Sequence, residues 1–363
     1  MRLRQLDFLR GIAVLLVLFR HDALTEMLYK VGWVGVDLFF VLSGFLVSGL
    51  LFNEFIKYGN IKPGLFLIRR GFKIYPLFYT FLVITIIFTV IFNQLGWMSD
   101  NLLRGGLISE IFFVQNYFGH IWDHTWSLAV EEHFYFTLAF IFFIFDRKKI
   151  LANRKAFIVL VSIVSLGCLT LRIINFELYH FDINTHLYRT HLRIDSLMFG
   201  VFLSYMYHFE KERFTDFFNK YKYILLLTGL ILVSSCAIFE INTFFMNTFG
   251  LTCLYLGFGS ILGVMMSVKD VNKSLDKFMG KFTVDVISKI GFFSYSIYLW
   301  HMFVIKYFLG ALEKLSPVPI SNWITFPFYL LTSIFFAMGM SKLVELKFLK
   351  IRDQRFPSRA RKI

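Results

Sequence analysis

Arg10 and His21 stand eleven residues apart in an apolar stretch, Leu6 to His21. On a helix that interval is about three turns, so both side chains emerge on one face. At a rise of 1.5 Å per residue they are about 16 Å apart along the axis, roughly half the hydrocarbon core of a bilayer. Histidine exchanges a proton near neutral pH and can act as a general base or as a nucleophile. A carboxylate can orient such a ring and stabilise its cation, and Asp37, Glu131 and Glu132 are the candidates. On a helix Glu131 shares a face with Ser127 and Tyr135, whereas Glu132 is turned about 100° away. Glu131 is therefore expected to face inward. A third cluster, Arg69, Arg70 and Lys73, puts three cations in five residues. It is either a phosphate clamp or a positively charged flank of a membrane span.

The elements that must position these groups are membrane helices. Of 363 residues, 57% are hydrophobic and 20% aromatic, with a mean hydropathy of +0.64. The apolar residues come in blocks of about 18 to 24, the length that crosses a bilayer as a helix. The fold class expected is all-α: a polytopic membrane protein with about ten transmembrane helices. They are placed near 6–22, 33–56, 76–95, 124–145, 156–174, 194–209, 223–240, 244–267, 290–310 and 323–344. The first is read as a retained helix, because no small-residue cleavage site follows it. Two domains are drawn, an integral membrane body over 1–345 and a basic cytosolic tail over 346–363.

The formal charge of +14 is explained by where the cations fall. Sorted by alternate connections, 29 Lys and Arg lie on one side and five on the other, namely Lys30, Arg104, Arg189, Arg193 and Lys314. The positive-inside rule then puts both termini in the cytosol, and nucleic acid is excluded as the reason for the charge. The tail Lys350–Lys362 is expected to contact lipid headgroups.

This topology brings polar groups on five helices to one depth: His21; Asp37; Trp126, Ser127, Glu131 and Glu132; Asp195 and Ser196; and Ser296, Tyr298 and His301. Inserting an ionisable group costs about 2.5–3.5 kcal/mol on translocon scales, so five such helices point to a water-accessible cavity open to the outside. Trp126 and Trp300 are either interface-belt rings or sugar platforms. Cys168, Cys236 and Cys253 lie in apolar runs and are read as packing filler, with no disulfide framework. His180, His186, Arg189 and His191 form no strong metal motif and are read as a solvated loop near substrate; no metal is expected.

Six segments together resemble the acyltransferase-3 family of bacterial multi-pass membrane O-acyltransferases, which modify surface glycans. They are Arg10 to His21, Gly35 to Phe45, Arg69 to Pro76, Thr125 to Tyr135, Arg193 to Asp195, and Ser294 to His301. They occur in family order over nearly the whole chain. Two positions depart from the family pattern. Lys73 stands where a third arginine is frequent, and Glu345-Leu346-Lys347-Phe348 lacks a frequent proline. No esterase-like domain is expected after the last helix.

The resemblance implies transfer of an acyl group, commonly acetyl, from cytosolic acyl-CoA to a hydroxyl of an extracytoplasmic or lipid-linked carbohydrate. It implies a place in the bacterial cytoplasmic membrane. His21, Glu131, Asp37 and Arg10 are then the catalytic candidates. Arg69, Arg70 and Lys73 are the acyl-CoA binders. Trp126, Ser127, Tyr135, Arg193, Asp195, Ser296 and His301 are the substrate binders. Membrane lipids, acyl-CoA and the carbohydrate acceptor are the partners, with no tightly bound cofactor and acetyl-CoA as donor substrate. His21 either deprotonates the acceptor or itself carries the acyl group. The alternative function is a non-enzymatic transporter or flippase of a glycan or anionic substrate, which needs an outward cavity equally well.

Overall fold

The computed structural model describes residues 3–22, 24–97 and 106–359, and among these it is built of helices without strands. Arg104, one of the five cations of the less basic side, lies outside the described residues, as do Arg2, Arg361 and Lys362 of the other.

The principal helices are α1 (Arg4–His21), α2 (Gly35–Tyr58), α3 (Pro63–Gln94), α4 (Trp126–Arg147), α5 (Arg154–Leu178), α6 (Ile194–Phe209), α7 (Lys222–Ile238), α8 (Leu251–Ser267), α9 (Lys281–Phe292), α10 (Ser294–Phe303), α11 (Asn322–Met340) and α12 (Leu346–Arg355). Six helical stretches among the described residues are long and apolar enough to cross a membrane. There are seven if α7 and the helix Lys211–Lys220 before it, bent by 79°, form one span. The expectation of ten is thus not met by length and composition. Three of the expected spans fall short for visible reasons. α1 carries Arg4, Asp7, Arg10 and Arg20 within 18 residues, α6 has only 16 residues, and the stretch 290–310 is interrupted at Phe293 between α9 and α10.

Close backbone approach holds the centre. In membranes, helix pairs are drawn together by packing of small residues rather than by a hydrophobic driving force. α2 and α6 meet through Gly44 and Gly200. A Cβ on Gly44 would lie 1.9 Å from the Leu197 carbonyl oxygen, and one on Gly200 would lie 2.3 Å from that of Val41. α1 and α9 meet in the same way, where a Cβ on Gly291 would fall 1.8 Å from the Asp7 carbonyl oxygen. α1 is thereby fixed lengthwise with Arg10 toward one end and His21 at the other.

α3 corrects one expectation. Residues 63–75 are not loop: the helix starts at Pro63, where the missing N–H costs nothing, and runs for 32 residues. Pro76 sits inside it, and the Thr80 hydroxyl donates to the Pro76 carbonyl at 2.7 Å. Arg69, Arg70 and Lys73 therefore project from a rigid helix within an arc of about 100°, Arg69 toward Asp353 and Lys73 toward Glu345. α12 is also tied down. Phe356 just after it packs on Phe72 at 5.4 Å between ring centroids. Arg359 bonds Glu54 at 2.7 Å and Asn60 at 2.9 Å.

Candidate functional site

Two cavities, not the single one expected, lie along α1. The first has a volume of about 150 Å³ and is lined by Arg10, Arg70, Lys73, Ser127, Glu131 and Tyr135. The second, about 310 Å³, is lined by Arg20, His21, Asp123, His124, Trp126 and Arg193, with Tyr188 above Trp126. Val36 and Tyr298 border both. Tyr298 is held in place by its hydroxyl, which donates to the His124 carbonyl at 2.6 Å and meets the Ser127 hydroxyl at 2.6 Å.

The first cavity is cationic. Arg70 lies 5.7 Å from the Tyr135 ring centroid and 5.8 Å from that of Phe66. Lys73 is paired with Glu345, which also accepts from the Ser341 hydroxyl at 2.7 Å. Lys73, which departs from the family pattern, is thus paired with the first residue of the Glu345–Phe348 segment. Glu131 accepts from the Tyr135 hydroxyl at 2.8 Å, and that hydroxyl lies 3.0 Å from the hydroxyl of Ser43. Glu132 turns away, accepting from Tyr75 at 2.9 Å.

The second cavity combines an imidazole with stacked aromatic rings. His21 is exposed there. Trp126 stacks on Tyr188 at 4.7 Å with an interplanar angle of 8°, and the Arg193 guanidinium lies 5.3 Å from the Trp126 centroid. At the rim, His120 pairs with Asp123 at 2.5 Å, and that carboxylate holds the His120 imidazole above its usual value. The loop after α5 is not simply solvated: His186 is buried and Tyr188 reaches the cavity. Among the described residues, no group of three or more His, Cys, Asp or Glu side chains is arranged to hold a metal ion.

Several expected site residues are placed elsewhere. Arg69 points away from the first cavity, to Asp353 at 2.9 Å and to the Phe356 carbonyl. Asp195 is buried against Arg172, and Ser296 donates to the Ala337 carbonyl at 2.7 Å; both join helices and line neither cavity. Trp300 is fully buried on Phe81 at 5.2 Å, so it is neither belt nor platform. Asp37 is fully buried and accepts from Arg193 at 2.7 Å. Neither Asp37 nor Glu131 shares the cavity of His21; the carboxylate that does is Asp123. His301 is buried, its ring 4.9 Å from that of His21. Asp123 and His124 were missed, although an acid–imidazole pair just ahead of Thr125-Trp126 was a usable signal. Tyr188 had no signal in its local sequence.

A helical membrane body with a cationic pocket and a histidine pocket strung along one helix suits group transfer between two sites. The comparisons give the class. A family model described as an acyltransferase domain matches residues 3–342, and the chain belongs to that family, acyltransferase-3. It is 30% identical over 331 residues to a peptidoglycan O-acetyltransferase, OatA, of Listeria monocytogenes serovar 1/2a, covering 86% of this chain and 51% of the relative. It is 32% identical over 328 residues to a putative O-acetyltransferase of Staphylococcus aureus (strain COL), covering 83% and 50%. It is 27% identical over 339 residues to the O-acetyltransferase OatA of Staphylococcus aureus (strain NCTC 8325 / PS 47), covering 88% and 53%. The chain therefore spans about half the length of these curated relatives. No solved structure matches it.

Proposed function

We propose that this chain is a bacterial cytoplasmic-membrane O-acyltransferase. It moves an acyl group, preferentially acetyl, from acyl-CoA on the cytosolic side to a hydroxyl of a carbohydrate on the other side or linked to lipid. The observation that carries this reading is the pair of cavities that meet at Val36 and Tyr298.

Arg10 and Arg70 enter no salt bridge among the described residues, and with Lys73 they suit the phosphates of a nucleotide thioester. The half-buried Tyr188, held flat by stacking on the buried Trp126, offers an apolar ring beside polar groups, a surface that fits a sugar ring. His21 takes the proton of the acceptor hydroxyl as the new C–O bond forms. The C–S bond of the thioester breaks, and the thiolate leaves with the electron pair and is finally protonated. A two-step route through acyl-His21 uses the same atoms. The relatives' printed names support acetyl as the group and peptidoglycan as one acceptor to test first.

The test uses the full chain purified into lipid vesicles with labelled acetyl-CoA and soluble peptidoglycan fragments. Label is expected to enter the glycan, and His21→Ala is expected to abolish that transfer with the protein folded and inserted. Full transfer by His21→Ala would overturn the role of His21. Movement of glycan or anion across the vesicle with no dependence on acetyl-CoA would favour a transporter instead.

A further inference from the structure

Three imidazoles stand in series between the second cavity and the protein interior. The His301 ring lies 4.9 Å from His21 on one side and 4.9 Å from His124 on the other. The rings are tilted by 51° and 75° and no hydrogen bond joins them in this structure, so it is a turn of the exposed His21 side chain that brings one of its N–H groups onto His301. Only His21 is exposed; His301 and His124 are buried.

Backbone carbonyls fix the protons on the two buried rings, because a carbonyl oxygen can only accept. His301 Nδ1 lies 2.6 Å from the Tyr298 carbonyl, so that nitrogen carries the hydrogen. His124 Nε2 lies 3.1 Å from the Leu299 carbonyl, and its hydrogen is on Nε2. In the neutral rings, the remaining nitrogens, His301 Nε2 and His124 Nδ1, are bare acceptors. Both are buried without a hydrogen-bond partner. A buried unsatisfied acceptor costs about 1–3 kcal/mol, so a fold retains one where something else uses it. Two bare acceptors cannot satisfy each other. The one ring of the three whose nitrogens are bound to no carbonyl is His21.

We infer that His301 is the positioning residue of His21: its bare Nε2 accepts the N–H on one His21 nitrogen, leaving the other His21 nitrogen as the lone pair that meets the acceptor hydroxyl. This rests on the functional reading above and goes beyond it by replacing the expected carboxylate with a neutral partner. During transfer, the hydroxyl proton moves to the free His21 nitrogen and the resulting imidazolium is held by His301 Nε2. No bond to His301 is made or broken. The arrangement does the orienting work of a carboxylate in a hydrolase triad, without a second charge in the low-dielectric interior.

The test compares His21→Ala, His301→Phe and His301→Gln in the full chain, purified into vesicles with labelled acetyl-CoA and soluble peptidoglycan fragments. Phenylalanine keeps the ring volume and removes the acceptor. Glutamine carries an amide oxygen to the region of Nε2. His301→Phe is expected to lower kcat about 100-fold or more with the KM for acetyl-CoA unchanged, and His301→Gln to recover at least about tenfold of that loss. Thermal unfolding is measured on each variant. If His21→Ala is inactive but folded His301→Phe turns over normally, the inference falls and the functional reading stands. If folded His301→Gln is as impaired as His301→Phe, the acceptor role falls as well. If His301→Phe does not fold, the glutamine variant alone decides: near-normal kcat supports the inference and a loss like that of His21→Ala overturns it. If His21→Ala itself transfers label, the functional reading fails, whatever the His301 variants do.

Discussion

Arg193 Nη2 lies 2.7 Å from Asp37 Oδ1, and the two side chains are 2% and 0% exposed. The pair joins the start of α6 to the first turn of α2, and the same guanidinium lies against the Trp126 ring. One cation thus fixes two helices and one wall of the second cavity. Removing one member of a buried pair strands the other charge, at about 3–5 kcal/mol, whereas replacing both by apolar groups is frequently neutral. Asp37→Ala is therefore expected to lose about that much stability. The double variant Asp37→Leu/Arg193→Met is expected to lose clearly less, as read by thermal unfolding in detergent.

Neighbouring arginines on α3 have opposite fates. Arg70 faces the first cavity while Arg69 is bonded to Asp353 and Phe356. A charge-assisted hydrogen bond to an anion contributes about 1.5–3 kcal/mol, or roughly 10–100-fold in binding. Arg70→Ala should raise the KM for acetyl-CoA by that order. Arg69→Ala should leave KM within about twofold and lower the unfolding temperature instead, since its bonds hold the chain after α12. Equal KM effects at both positions would remove Arg70 from the proposed donor site.

Helix crossing at Gly44 and Gly200 leaves no room for a methyl group, because the obstructing atoms are backbone carbonyls. Gly44→Ala must push α2 from α6 and disturb the Arg193–Asp37 pair. Overpacking of a tight contact costs about 1–3 kcal/mol. Gly167→Ala, on α5 with open space around it, serves as the control and should change nothing measurable. The unfolding temperatures of the two variants check this.

Glu110, on the short helix Gly106–Ile111, is fully buried. One carboxyl oxygen accepts from Thr125 at 2.8 Å and from the Ile121 and Trp122 amides at 3.2 Å each. Burial pushes this carboxyl up from its ordinary value to about 7. The folded chain therefore holds the proton more tightly than the unfolded chain. The resulting stability is fully present below the ordinary glutamate value of about 4.3 and is lost as pH rises through 7, on the order of 3 kcal/mol in all. Unfolding temperature measured from pH 4.5 to 8 should fall for the native chain relative to Glu110→Gln, whose amide keeps the accepting oxygen. Parallel curves would contradict this.

Much of the helical layout was legible because apolar blocks of bilayer length leave few alternatives to helix. The motifs Arg10 to His21 and Thr125 to Tyr135 also contain residues that line the two cavities, and the choice of Glu131 over Glu132 as the one facing a cavity followed from helical phase within one element. The misassignments share one cause. Arg69, Asp195 and Ser296 stand in motifs beside residues that do reach a cavity or its border, and a motif does not say which way each of its side chains turns. The start of α3 was placed thirteen residues late because its cations resemble a loop flank, while in the helix Arg69 and Lys73 pair with carboxylates beyond α11 and Arg70 faces the first cavity.

By itself, then, the sequence determined a helical membrane chain, the cationic and imidazole groups it carries, and its family. Tertiary structure decided which members of each motif face empty space, and that Asp123, His124 and His301 keep company with His21 while Glu131 stays with Arg10 and Arg70. The physical reason is that the rotation of a helix about its axis is set by contacts with distant segments. Arg69 turns toward Asp353, 284 residues away, and α1 is locked by the backbone of α9 at Gly291. No local pattern encodes contacts of that range.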